Sequence, residues 1–241
     1  MNFEYSFEML SEKLKICVTA DHKFGTDAFL LSDFAGIRRK DIAVDLGTGC
    51  GIVPLLWFRQ AENAPKMVYA VDIQPKAIEQ LKITLEKNGL DEAIIPVNAD
   101  LKDLSAHIQP HSADVVTCNP PYKANNSGII SELDSEKIAR HEIMCTIYDV
   151  CAAAARVLKF GGKLCLCQRP ERLADVMQAM RENNIEPKYI RFVQQRPDTA
   201  PWLFLIEGKK GSKPYLKVDK PVIIEGENGF SNELMRIYGK V

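Results

Sequence analysis

The chain has 241 residues, 46% of them hydrophobic and 26% charged, enough for one sizeable α/β domain with a small appendage. Its 31 basic and 32 acidic residues give a formal charge of −1, so nucleic-acid binding, where it occurs, must use local patches. Seven cysteines without a C-x-x-C pair exclude a zinc pattern and a disulfide framework. The absence of a basic-then-apolar leader and of any membrane-length apolar run completes the expectation of a cytoplasmic protein without metal or membrane.

In chain order, Leu14–Val18 alternates like a strand, and Thr26 or Asp27 is expected to cap a short apolar helix, Ala28–Phe34. Apolar strands then alternate with helical patterns, the signature of a parallel sheet. The predicted strands are Ile42–Leu46, Met67–Asp72, Ile94–Asn98, Asp114–Cys118 and Lys163–Gln168. The predicted helices are Ile52–Gln60, Pro75–Asn88, Ser135–Lys159 and Arg169–Asn183. Pro75 suits a first helical turn, Ile78, Leu81 and Leu85 line one face, and Gly89 stops the helix. Tyr189–Val193 and Trp202–Glu207 are expected to form an antiparallel edge pair. A polar, lysine-rich tail follows, with a short helix over Asn232–Tyr238. The expected organisation is an N-terminal strand-and-helix segment (1–40) folded over a ligand site, a core (41–208) and a tail packed on it (209–241).

The segment Val44-Asp45-Leu46-Gly47-Thr48-Gly49-Cys50-Gly51 reads as a strand, a glycine-rich turn and a helix start. Glycines there let the backbone approach a ligand closely. The next strand ends at Asp72, where a carboxylate can accept ribose hydroxyls, and the third ends in Asn98-Ala99-Asp100, where Asp100 is placed for an adenine amine. Three acidic strand ends around one crevice suit hydroxyls and positive charge better than phosphates. S-adenosylmethionine carries a ribose, an adenine, an ammonium and a sulfonium, and it fits.

The fourth strand runs into Asn119-Pro120-Pro121-Tyr122. The prolines stiffen the turn and push the residues before them toward extended geometry. The Asn119 side-chain oxygen and the Pro120 carbonyl can accept both hydrogens of one planar NH2 group, and Tyr122 can stack on the ring that carries it. Two such acceptors pull a delocalised amine nitrogen toward tetrahedral geometry and stabilise the positive charge it gains on attack. No strong general base or metal is needed.

These motifs resemble those of class I S-adenosylmethionine-dependent methyltransferases, and Asn-Pro-Pro-Tyr resembles the signature of those acting on planar amines. Lys23-Phe24-Gly25-Thr26-Asp27-Ala28-Phe29-Leu30-Leu31 and Ala139-Arg140-His141-Glu142 are similar to segments of the bacterial tRNA(Val) adenine-37 N6-methyltransferase family. The resemblance implies a Rossmann-like, mostly parallel sheet with an antiparallel edge strand and helices on both faces. It implies S-adenosylmethionine as cofactor, contacted by Gly25, Thr26, Asp27, Asp45, Gly47, Gly49, Gly51, Asp72, Ile73, Asp100, Leu101 and Asn119. It also implies a target base held by Asn119, Pro120 and Tyr122, and tRNA(Val) as partner. Cys50 stands where many relatives have Ser or Ala, in a loop where the backbone does the binding.

His141 has two readings, an RNA contact or a helix-end structural hydrogen bond. The basic clusters are Arg38-Arg39-Lys40, Arg169 with Arg172, and the lysines between Gly208 and Pro221, the last being first choice for phosphate contacts. The rival substrates are a release-factor glutamine, a ribosomal-RNA guanine amine and a DNA adenine. Each usually comes with an additional domain that is not expected in this chain.

Overall fold

A computed structural model describes residues 4–19, 24–60, 62–120, 145–227 and 229–240. Strand β1 (Ser6–Met9) pairs antiparallel with β2 (Lys15–Val18) as a separate hairpin. Helix α1 (Thr26–Phe34) follows, then β3 (Ile42–Leu46), α2 (Ile52–Leu56), β4 (Met67–Asp72), α3 (Pro75–Asn88), β5 (Ile94–Asn98) and β6 (Ala113–Cys118). The second half contains α4 (Ile147–Val157), β7 (Leu158–Gln168), α5 (Leu173–Glu182), β8 (Ile185–Gln194) and β9 (Pro201–Lys210). It closes with β10 (Lys217–Val218), β11 (Val222–Ile223) and α6 (Asn232–Ile237).

Among the described residues these strands form a nine-stranded sheet in the order β10-β8-β9-β7-β6-β3-β4-β5, with β11 also on β8. β3 through β7 are mutually parallel, so their carboxyl ends share one edge. The antiparallel pair β8–β9 is present, but β9 lies inside the sheet against β7, and the tail strands β10 and β11 extend the sheet beyond β8. One hydrophobic layer on the sheet includes Leu30, Leu31, Leu55, Leu81 and Leu205, and a second includes Leu46, Val116, Ala154, Leu166 and Phe204. Each of the leucine, valine and phenylalanine side chains contributes about 1.5–3 kcal/mol on burial.

Helix α3 follows its sequence signals to the residue: Pro75 opens it, and Gly89, at φ 64°, closes it in the left-handed conformation. Its buried face is partly polar. Cys17 donates its backbone N–H to Thr84 Oγ1 at 3.0 Å, and Gln80 Nε2 donates to the Cys17 carbonyl at 2.7 Å. Asn88 accepts from Lys15 N at 2.9 Å and donates to the Lys15 carbonyl at 2.7 Å. Gln80, Thr84 and Asn88 recur every fourth residue, so they stack on one helix face and pair the outer edge of β2 as a neighbouring strand would. The hairpin thereby lies along α3.

Several expected boundaries shift. Helix α1 begins at Thr26 with Gly25 as its N-cap and no side-chain cap, because the Thr26 hydroxyl and the Asp27 carboxylate are engaged elsewhere. Helix α2 stops at Leu56: Trp57, Phe58 and Arg59 donate to carbonyls three residues back, and the Trp57 indole N–H is drawn to the Ser32 carbonyl at 3.2 Å. Helix α4 starts at Ile147 behind a capping box in which Thr146 and Asp149 bond each other's backbone N–H, at 3.2 and 2.8 Å. The part of the expected helix from 135 to 144 lies outside the described residues. β7 begins at Leu158, not Lys163, with an irregularity between its pairings at Ala113 and Val115; Gly161 takes φ 76° in that stretch. A short 3-10 turn, Pro170–Arg172, precedes α5.

Candidate active site

The shared carboxyl edge collects Leu46, Asp72, Asn98, Cys118 and Gln168 at the ends of five adjacent strands. Such an edge is where open α/β sheets hold ligands. At its centre the chain leaves β3 through Gly47, Gly49 and Gly51, at φ 70°, 55° and 81°. A Cβ on Gly47 or Gly49 would meet nothing within 4 Å, whereas one on Gly51 would stand 2.4 Å from Leu81 Cδ1. The first two glycines therefore keep backbone open to the crevice, and the third lets the loop sit down on α3.

Asp72 organises this loop. Its Oδ2 accepts from Gly49 N at 2.8 Å and its Oδ1 from Gln74 N at 2.9 Å, which ties the glycine turn to the start of α3. Each carboxylate oxygen has a second lone pair for a ligand hydroxyl. Ile73 beside it is 41% exposed, an aliphatic surface at the rim. Asn98 donates to the Asp72 and Ile73 carbonyls at 3.0 and 3.1 Å, joining the ends of β4 and β5. Asp100 is half-buried and accepts from Lys102 N at 2.9 Å, while Leu101 packs against the second core layer.

Asp45 is buried, and burial pushes its carboxyl up to about 7 against the opposing pull of the Thr117 and Thr48 hydroxyls. Thr117, directly across in β6, donates to Asp45 Oδ1 at 2.6 Å. Thr48 Oγ1 lies buried near the same carboxylate without full hydrogen-bond geometry. A buried carboxyl so incompletely compensated favours a cation arriving from the crevice.

At the end of β6, Asn119 is half-buried. Its Nδ2 donates to Asp27 Oδ2 at 2.9 Å, and its Oδ1 accepts from Cys167 Sγ at 3.1 Å. Pro120 follows, half-buried. The structure thus brings the glycine turn, Asp45, Asp72, Asp27 and Asn119 to one edge. Gly25 and Thr26 stand at the start of α1, where Thr26 Oγ1 meets Tyr238 Oη at 2.7 Å. Pro121, Tyr122, Lys23, His22, Arg140 and His141 lie outside the described residues.

The basic clusters separate. Arg38, Arg39 and Lys40 sit before β3, at the opposite edge of the sheet, where Arg39, Lys40 and Lys66 line a surface hollow of about 490 Å³. Lys210 is not available to a phosphate: its ammonium donates to the Ala155 carbonyl and to the Leu158 carbonyl at 2.9 Å. Lys209 lies 3.9 Å from Glu207, and Lys217 lies 3.8 Å from Asp219. Arg169, just past β7, donates to the Trp202 carbonyl at 2.9 Å and lies over the Trp202 ring, on the Asn119 side of the crevice. Sequence reasoning passes over Thr117, and it reads Cys167, which shares a strand face with Cys165, as core packing. The polar Thr117 in an otherwise apolar strand was a usable signal; Cys167 gave none, since a small cysteine in a buried strand reads as packing.

A mostly parallel sheet that enters a glycine turn after a central strand and carries an antiparallel strand beyond β7 defines a Rossmann-like methyltransferase fold. The structure superposes on that of a predicted O-methyltransferase from Agrobacterium tumefaciens with a TM-score of 0.71, over 88% of this chain and 95% of that one, at 20% identity. The model of the methyltransferase small domain matches residues 21–189, and the chain belongs to that family. Two relatives are tRNA1(Val) (adenine(37)-N6)-methyltransferases. That of Histophilus somni (strain 129Pt) is 30% identical over 59% of this chain, and that of Dyadobacter fermentans is 26% identical over 67%. The matched part spans 58% and 63% of the lengths of these two relatives.

Proposed function

We propose that this protein is an S-adenosylmethionine-dependent methyltransferase acting on the exocyclic N6 amine of adenine in tRNA, with adenosine 37 of tRNA(Val) as the target. The observation that carries this reading is Asn119, which stands at the carboxyl end of β6 beside the glycine turn with its carboxamide held at both ends. The names of the two relatives support the choice of a tRNA adenine.

The crevice fits the cofactor. Gly47 and Gly49 leave open backbone for a methionine moiety, and Asp45 offers a buried carboxyl to its ammonium. Asp72 retains lone pairs for ribose hydroxyls, Ile73 gives an aliphatic face, and Asp100 with Leu101 borders the adenine end. When bound, S-adenosylmethionine supplies an electrophilic methyl group on sulfur. Gly25, Thr26 and Asp27 border the same space from the start of α1.

On the acceptor side, Asn119 Oδ1 and the Pro120 carbonyl take the two hydrogens of the adenine amine. Their dipoles turn its lone pair out of the ring plane and stabilise the positive charge that grows on nitrogen. Tyr122 stacks on the extruded base and offsets part of the lost stacking. The methylated nitrogen is acidic enough to give up its proton to water. Positioning the amine in line with the methyl group supplies much of the remaining acceleration.

The test is methyl transfer from labelled S-adenosylmethionine to total tRNA from cells lacking this gene, with release-factor protein as a parallel acceptor. Label recovered as N6-methyladenosine, and absent with Asn119→Ala, is the expected result. Label in protein, or none in tRNA from an enzyme that binds the cofactor, overturns it.

A further inference from the structure

A carboxamide has ends of nearly equal shape, so partners decide whether oxygen or nitrogen faces a given direction. Asn119 has a partner at each end, supplied by distant parts of the chain. Asp27, at the start of α1, accepts from Nδ2 at 2.9 Å, and an ionised carboxylate can only accept. Cys167, fully buried in β7, donates its thiol hydrogen to Oδ1 at 3.1 Å. The flipped amide would set oxygen against carboxylate and NH2 against a thiol, so one orientation is imposed.

The two partners differ usefully in strength. The bond to the carboxylate is charge-assisted and anchors nitrogen. A thiol is a weak donor and an amide oxygen carries two lone pairs, so the thiol orients the oxygen without by itself filling its acceptor capacity. Asp27 is itself held in place. A Cβ at position 25 would stand 2.7 Å from Asp27 Oδ1, so glycine there clears room for the carboxylate. The Thr26 contact with Tyr238 ties the same turn to α6.

We infer that Asp27 and Cys167 are positioning residues of the methyl-transfer site, which fix the Asn119 carboxamide so that Oδ1, and not Nδ2, is offered to the acceptor amine. This rests on the amine-holding role proposed for Asn119. It gives the Gly25-Thr26-Asp27 segment a task on the acceptor side of the crevice. Neither residue touches the reacting atoms; both act through Asn119.

A double-mutant cycle with a spectroscopic arm tests it. Asp27→Ala is expected to lower kcat about 100-fold, the scale of a misplaced reacting group, and the loss is read at saturating cofactor because Asp27 also borders the cofactor space. In an Asn119→Ala background the same substitution is expected to cost less than about 3-fold, because the group it positions is gone. Cys167→Ser, whose hydroxyl competes harder for Oδ1, is expected to lower kcat more than Cys167→Ala. Independently of any acceptor, the Asn119 side-chain NH2 signals in a 15N-labelled protein should exchange slowly, and faster in Asp27→Ala. Equal losses of kcat in both backgrounds, or Asn119 exchange unaltered by Asp27→Ala, overturn the inference. A wild-type enzyme that transfers no methyl to RNA contradicts the proposed function instead, and the exchange measurement then decides the positioning on its own.

Discussion

The two halves of the crevice are built by different means. On the side of β3, β4 and β5, the site is made of parts local in sequence: a glycine turn, strand ends in register, and an Asp72 carboxylate at a strand end that knits Gly49 to Gln74. On the side of β6 and β7, it is made of side chains brought from α1, β6 and β7 to a single carboxamide. A site of that kind is written in short stretches of sequence, one at each strand end. A side-chain site depends on the packing of the whole domain, and a single atom's direction carries its chemistry.

That contrast predicts how each half breaks. The largest effect is expected from Asn119→Ala, which removes an acceptor aimed at developing charge; kcat should fall by about 10²–10³-fold in single-turnover methyl transfer. Asp72→Ala comes next. It frees the glycine turn and removes ribose acceptors, so cofactor affinity measured by calorimetry should fall about 10- to 100-fold, consistent with about 1.5–3 kcal/mol for hydrogen bonds to a charged group. Gly51→Ala sets a Cβ against Leu81 at φ 81°, and should lower stability by about 1–3 kcal/mol in denaturant unfolding, with a lower Tm.

The last expected effect, read across pH rather than at one condition, lies at Asp45. Its carboxyl titrates near 7 when folded and near the ordinary value of about 4 when unfolded. Between these values the folded state holds the extra proton, so this group's contribution to stability falls as pH rises from about 4 to about 7 and is level above. Asp45→Asn should flatten that slope in unfolding curves taken across the range. A cationic ligand beside Asp45 favours the ionised form, so wild-type cofactor affinity should rise with pH up to about 7.

The same contrast explains what the sequence made legible. β3, β4, β5 and α3 match their expected bounds because buried parallel strands are continuous apolar runs, and Pro75 and Gly89 punctuate the helix locally. The glycine turn and the acidic strand ends could be placed from sequence for the same reason. The role of Gln80, Thr84 and Asn88 could not, since three polar residues on a helix face read as a solvated surface until β2 is laid against them. The expected caps of α1 failed because Thr26 and Asp27 are engaged by Tyr238 and Asn119, 212 and 92 residues away. Lys210 departs from the sequence in a similar way: it looks solvated there, yet it ties the end of β9 to carbonyls at the end of α4 and the start of β7.

The most direct test of a crevice with separable halves is to measure, on one preparation of Asn119→Ala, both cofactor affinity by titration calorimetry and methyl transfer to undermethylated tRNA. The account predicts cofactor binding retained, with transfer nearly abolished at saturating cofactor. Cofactor binding lost together with transfer, or transfer retained, would contradict it.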